Sequence, residues 1–166
     1  GEFDGGTEYG GSSSPVTGVK EEINTTDKLL SDIGIELRVI SENEEFILSA
    51  KRVEEMLAAF ERAELHWQQV KDGLFGADGV VKLGARPATR TQEERHDFNG
   101  ALGVISGNAE MIIMERTLGL NAQAGEVLDV ILLYVQNAAE SQERLRKLLY
   151  AIEESACGFS LAPGQE

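Results

Sequence analysis

Apolar residues recur in steps of three and four along most of this chain, and glycine or proline marks each break in that rhythm. The longest clear run is Phe46, Ser49, Val53, Met56, Phe60, Ala63, Trp67 and Val70. Such spacing keeps one stripe on one side of a helix, so it predicts a long amphipathic, coiled-coil-like helix ending near Gly73. Ser41 and Glu44 stand in capping-box spacing just ahead of it. Further upstream the pattern is mixed. Leu30, Ile33, Leu37 and Ile40 keep helical spacing, whereas Ile35, Leu37 and Val39 alternate as a strand does. Helix is the favoured reading, although Gly34 costs it about 1 kcal/mol relative to alanine.

Glycines at 73, 76, 79 and 84 and then Pro87 punctuate a linker, within which Gly79 to Leu83 has the character of a short strand. Thr89 or Thr91 can cap the next helix, with Glu93 and Glu94 in its first turn. Its stripe is Phe98, Leu102, Ile105, Ala109 and Ile112, and it should run to about Leu118. Gly119-Leu120-Asn121 forms a tight turn. A second stripe follows, with Leu128, Ile131, Val135, Ala138, Gln142, Leu145, Leu149 and Ile152, closed by Gly158 and Pro163. Two helices joined so briefly make an antiparallel hairpin. The second is apolar beyond one stripe, with Ile131, Leu132 and Leu133 adjacent and Leu148 beside Leu149. That width asks for a further surface, and a second copy supplies it most economically. The expected fold is therefore all-α: a hairpin pairing with its copy into a dimeric four-helix bundle, preceded by the coiled-coil-like helix. The expected dimer core is Phe98, Leu102, Ile105, Ile112, Leu128, Ile131, Val135, Leu145, Leu149 and Ile152. The expected divisions are 1–19, Gly/Ser-rich, disordered and tag-like; 20–73, N-terminal helical; 74–88, linker; 89–157, hairpin; 158–166, tail.

Composition narrows the partners. The 166 residues carry a net charge of −14, which argues against nucleic acid and anionic membrane surfaces. No stretch approaches 18 apolar residues and no export signal is evident, so a membrane span is not expected. Cys157 is the only cysteine and has no internal partner, which suits a reducing cytoplasm. With two histidines and one cysteine far apart, no metal site is expected. His66 reads as the exposed neighbour of a core Trp67, and Glu42 to Glu45 with Glu54-Glu55 as solvated faces.

The chemistry concentrates at His96-Asp97-Phe98-Asn99, continuing through Leu102, Ile105, Gly107, Asn108 and Glu110. This run resembles the H-box helix in the dimerisation and histidine-phosphotransfer domain of two-component sensor histidine kinases, in its His-Asp-Phe-Asn variant. The resemblance covers about 70 residues, Arg90 to Cys157. It implies that His96 accepts a phosphoryl group and passes it to an aspartate of a receiver domain. It also implies that Asp97 serves as the acid–base partner, holding the other ring nitrogen and its proton. Asn99 is then a polar residue near the docking face.

Steps of four, three and four from His96 reach Gly100, Gly103 and Gly107 on the same side of the helix. Three interior glycines cost roughly 2 to 3 kcal/mol of helix propensity. Either a partner docks closely on that bare strip, or a neighbouring helix packs there. Gly100 departs from the family, which usually has Asn or Thr at this place to orient water for receiver dephosphorylation. Asn99 lies about 100° away and does not replace it, so phosphatase activity is not expected.

The kinase family follows its hairpin with an ATP-binding domain, and no such boxes or Walker-type loop occur in this sequence. The chain is thus expected to bind no cofactor itself, with ATP and Mg reaching it only through a separate catalytic domain, in cis or in trans. Two other functions fit the same residues. One is a non-catalytic dimerisation scaffold linking an input to a cyclase- or phosphatase-type output, with His96 unused. The other is a self-contained phosphotransferase that shuttles between receivers.

Overall fold

The computed structural model describes residues 14–116 and 119–161, with side chains as far as Ala156 in the last helix. Helix α1 spans Pro15–Ser41. It starts inside the segment expected to be disordered, because Ser14 and Pro15 are helix-start residues. Ser14 is extended and its Oγ accepts from the Thr17 amide at 3.4 Å, while Pro15 occupies the first helical position. Residues 1–13 of that expected segment lie outside the described residues. Gly34 is interior to α1, and a Cβ there would sit 2.7 Å from Phe60 Cζ. The glycine that weakened the helix reading is a point of close helix approach.

Ser41 does not cap the next helix. It is still part of α1, and its Oγ donates to the Arg38 carbonyl at 2.9 Å. Asn43 caps instead, its Oδ1 accepting from the Glu45 amide at 2.8 Å ahead of a 3-10 segment, Glu44–Ser49. Helix α2 follows as Ala50–Leu74. The expected strand reduces to one antiparallel bridge between Phe75 and Val81. Arg90 then gathers the linker, its guanidinium donating to the carbonyls of Gly73, Leu83 and Ala85. After a four-residue helix α3, Pro87–Arg90, come α4, Gln92–Glu115, and α5, Ala122–Leu161. Helix α4 stops short of Leu118, which lies outside the described residues. Gly158 does not end α5, and Pro163 is also outside.

Four helices run up, down, up and down. Asp27 of α1 takes hydrogen bonds from Trp67 and Lys71 of α2, and Gly34 faces Phe60. Along α2 and α4, Arg52 meets Glu115, Trp67 meets Phe98, and Gly73 meets Thr91. Along α1 and α5, Gly18 meets Leu148, Glu22 meets Arg144, and Thr26 meets Ser141. Each series descends on one helix as it rises on the other, so neighbours are antiparallel. Helix α4 packs most extensively on α2, and α5 on α1; contacts within each hairpin are fewer.

One core runs through all four helices. Phe98, Leu102, Ile105, Ile112, Leu128, Ile131, Val135, Leu145 and Leu149 are buried in the same cluster as Ile33, Leu37, Met56, Trp67 and Val70, with Ile152 partly buried against it. The residues expected to pair across a dimer are thus covered by α1 and α2 of the same chain. Likewise the heptad stripe of residues 46–70 packs into this core as part of the bundle. Much of the apolar width that called for a second copy is covered in cis, while Leu133 stays 53% exposed. Gln142, the polar member of the second stripe, belongs to a small buried layer, in which its Nε2 donates to Thr26 Oγ1 at 3.2 Å and Thr26 meets Ser141 Oγ at 3.2 Å.

Candidate functional site

Helix α4 owes its orientation to its stripe. Phe98 and His96 are two positions apart, about 200° around a helix, so burying Phe98 against the Trp67 ring, centroid to centroid 5.3 Å, turns His96 outward. His96, Asp97 and Asn99 are exposed. None of their side chains takes part in a hydrogen bond or ion pair among the described residues. The expected contact between Asp97 and the His96 ring is therefore not made in this arrangement. Adjacent helical residues diverge by about 100°, and an Asp97 rotamer change is required to close it. Catalytic hydrogen bonds commonly tighten only when the reacting group is bound.

Gly100 and Gly103 are exposed and Gly107 is partly so, and a Cβ built on any of the three meets nothing within 4 Å. Of the two explanations for these glycines, helix packing inside the chain is thereby removed. The strip continues past Val104 and Met111 to Met114, which is 71% exposed and lies about five turns beyond His96, roughly 27 Å along the axis. Clefts occur elsewhere, one under the 3-10 segment by Phe46, Val53 and Leu57, another between α1 and α5 by Lys28, Asp32 and Arg144.

Several polar residues that hold this helix escaped the sequence reading. Arg52 of α2 donates to both carboxylate oxygens of Glu115, at 3.0 and 2.8 Å, and to Asn108 Oδ1 at 3.3 Å. The arginine hydrogen bond holds the Glu115 carboxyl below the usual carboxylate range. At the other end, Glu153 of α5 accepts from the Thr89 amide at 3.0 Å and its hydroxyl at 2.6 Å, and both bonds depress its pKa. Thr89 therefore anchors α3 to α5 and does not cap α4. Thr91 precedes α4 but makes no side-chain cap; its hydroxyl donates back to the Pro87 carbonyl at 2.8 Å.

Directly before His96, Arg95 is only 5% exposed. Its guanidinium donates to Thr91 Oγ1 at 3.1 Å and to the Ala88 carbonyl at 2.8 Å. Burial lowers its pKa, partly countered by the Tyr150 hydroxyl and Glu143. A signal for it was present. Arg95, Phe98, Leu102, Ile105, Ala109 and Ile112 continue one three–four rhythm, which places a charge on the buried register.

Among the described residues, no three His, Cys, Asp or Glu side chains gather as metal ligands, and no helix is long and apolar enough to cross a membrane. No family model, no curated protein and no solved structure matches the chain. The resemblance to the histidine-kinase H-box rests on the residues of α4 themselves.

Proposed function

We propose that this chain is a two-component signalling module that accepts a phosphoryl group on His96 and relays it to a receiver-domain aspartate. The observation carrying this reading is an unpartnered, exposed imidazole heading a bare glycine strip on the outer face of a helix whose inner face is fixed in a core. An exposed outer helix face is unlike the concave sites that small substrates favour, so in this reading the phosphoryl group arrives and leaves on another protein. In the accepting step a free imidazole nitrogen attacks phosphorus, forming a P–N bond. The P–O bond to ADP or to a receiver carboxylate breaks. Asp97, rotated onto the other ring nitrogen, stabilises the imidazolium and takes its proton. Relay reverses the sequence: the receiver carboxylate attacks, the P–N bond breaks, and the proton returns to the ring.

ATP and Mg enter through a kinase catalytic domain in cis or in trans, and the cytoplasm is the compartment where that donor and a reduced Cys157 coexist. The homodimer rests on the resemblance alone, since the core no longer demands a second copy. The absence of a contact between His96 and Asp97 favours one second reading, a scaffold with His96 unused that links an input to a cyclase- or phosphatase-type output. The test is labelling of wild type and His96→Gln from ATP with supplied kinase catalytic domains, and from phosphorylated receivers. Acid-labile, base-stable label on wild type alone supports phosphotransfer. A folded wild type that takes no label across a broad donor panel refutes it in favour of the scaffold.

A further inference from the structure

Between the end of α1 and the start of α2 the chain turns through the 3-10 segment Glu44–Ser49. Three residues per turn put Phe46 and Ser49 on one face, and both are buried. Ile47 and Leu48 are thereby turned outward, 71% and 83% exposed. Ile47 borders a cleft of about 330 Å³ whose apolar lining includes Ile40, Phe46, Val53 and Leu57. Glu42, Glu44 and Glu54 are the only charged residues lining it, and all three are exposed. The result is an apolar hollow with a rim of one sign.

We infer that this cleft docks a basic segment of another protein, one presenting a large apolar side chain flanked by lysine or arginine. Charge selects that occupant. A second copy of the chain brings a net charge of −14 to the rim, so like charges meet. Residues 1–13 carry Glu2, Asp4 and Glu8 without a lysine or arginine, and residues 162–166 carry only Glu166. Neither of these segments supplies the cations. An anionic membrane surface is repelled on the same ground. An apolar side chain entering beside Ile47 covers it and shuts water away from Phe46 and Leu57, which is where the affinity lies. Cations at the rim speed encounter and fix orientation more than they add affinity. The Glu45 carbonyl accepts from Arg116 and Glu45 Oε1 from the Asn121 amide. The site therefore sits at the C-terminal end of α4, about 30 Å along the helix from His96, and an occupant leaves the histidine face free.

The test uses the full chain and three synthetic peptides of one length. One carries leucine and lysine at amphipathic spacing, one has glutamate in place of lysine, and one has serine in place of leucine. Binding is followed by fluorescence anisotropy and by amide chemical shifts of the isotope-labelled protein. The leucine–lysine peptide alone is expected to bind, more weakly as salt rises, with shifts gathered in residues 40–57. Ile47→Ser should weaken it roughly ten- to a hundredfold, as loss of a buried apolar anchor does. Leu133→Ser, at an exposed apolar residue outside the cleft, should leave it unchanged. Replacing Glu42, Glu44 and Glu54 together by glutamine should flatten the salt dependence. If Ile47→Ser loses its fold by circular dichroism, the triple variant decides alone. No binding of the leucine–lysine peptide overturns the inference, as does equal binding of the glutamate peptide. Shifts spread over the whole acidic surface and indifferent to Ile47→Ser overturn it too. Self-association in sedimentation that Ile47→Ser abolishes overturns it in favour of a second copy. None of these readouts involves a phosphoryl group, so this docking site and phosphotransfer on His96 stand or fall separately.

Discussion

Replacing Phe98 by alanine tests whether the two halves of the chain share one core. The ring is fully buried, and its nearest aromatic neighbour is Trp67 of α2, 5.3 Å away between centroids. Trimming a large buried aromatic to alanine costs about 3 to 5 kcal/mol through lost transfer energy and the cavity left behind. For a domain of this size that lowers Tm by roughly 6 to 20 °C. Trp67 is the only tryptophan in the chain, so its fluorescence reports on the N-terminal half, whereas far-UV circular dichroism reports on all the helices. Urea and thermal melts of wild type and Phe98→Ala would be followed by both probes, at two protein concentrations tenfold apart. The expected result is coincident transitions in each protein, a common shift in the variant, and midpoints that do not depend on concentration. Fluorescence that stays in place while the helical signal moves would refute the shared core. A midpoint that climbs with concentration would show that burial is completed by a second copy.

The remaining expectations separate packing from docking and from charge. Gly34→Ala should destabilise by about 1 to 3 kcal/mol as overpacking does, because its Cβ would press on the Phe60 ring at 2.7 Å; chemical denaturation measures it, and a stabilised variant removes the close-approach account. Gly103→Ala meets nothing within 4 Å, so it should stabilise by about 0.5 to 1 kcal/mol while slowing transfer from a phosphorylated receiver; unchanged transfer means that the partner docks elsewhere. Glu115 has a depressed pKa in the folded state through Arg52, so its contribution is present above the usual carboxylate range and is lost as pH falls through the folded value. Acid unfolding of Glu115→Gln should accordingly show a weaker dependence on pH in that window, and an identical slope to wild type contradicts the assignment.

The helical segments were legible because their stripes are long. Val53 through Val70 and Phe98 through Ile112 repeat the three–four step often enough to leave one face, and those faces are the ones buried. Ends were less legible, since local chemistry competes there. Ser41 and Asn43 are both capable caps two residues apart, and only the continuation of α1 through Ile40 into the core decides between them. At Thr91 the hydroxyl prefers a carbonyl one turn back to a free amide ahead. Glycine spacing picked out the face below His96 but left partner docking and helix packing both open, and no other helix of the chain packs on it. The arginines that brace the helix were not foreseen, because a charged residue on a helix is ordinarily read as solvated. Arg95 in the buried register was the exception available, and Arg52 could be recognised only once Glu115 was known to lie across from it.

Whether a stripe is filled in cis or in trans is a different order of question. A hairpin with too wide an apolar surface needs two more helices, and the periodicity of residues 122–156 is equally satisfied by those of a second hairpin or by α1 and α2. What discriminates is the specific fit of the added pair. Gly34 opens α1 to Phe60, Asp27 receives both Trp67 and Lys71, and Thr26 meets Ser141 and Gln142 in a buried polar layer. The first two join α1 to α2, whereas the Thr26 layer matches the N-terminal half to the hairpin itself, and a copy of the hairpin offers no Thr26. A buried polar layer in particular penalises wrong pairings, because a partner without Thr26 leaves the Gln142 amide without its acceptor. The bundle built this way carries one histidine on its α4 face instead of two related by symmetry. Phosphotransfer on it would then need no second copy, and label carried by a species of monomer mass, and not by a dimer, is what would separate this arrangement from the paired hairpin of the family it resembles.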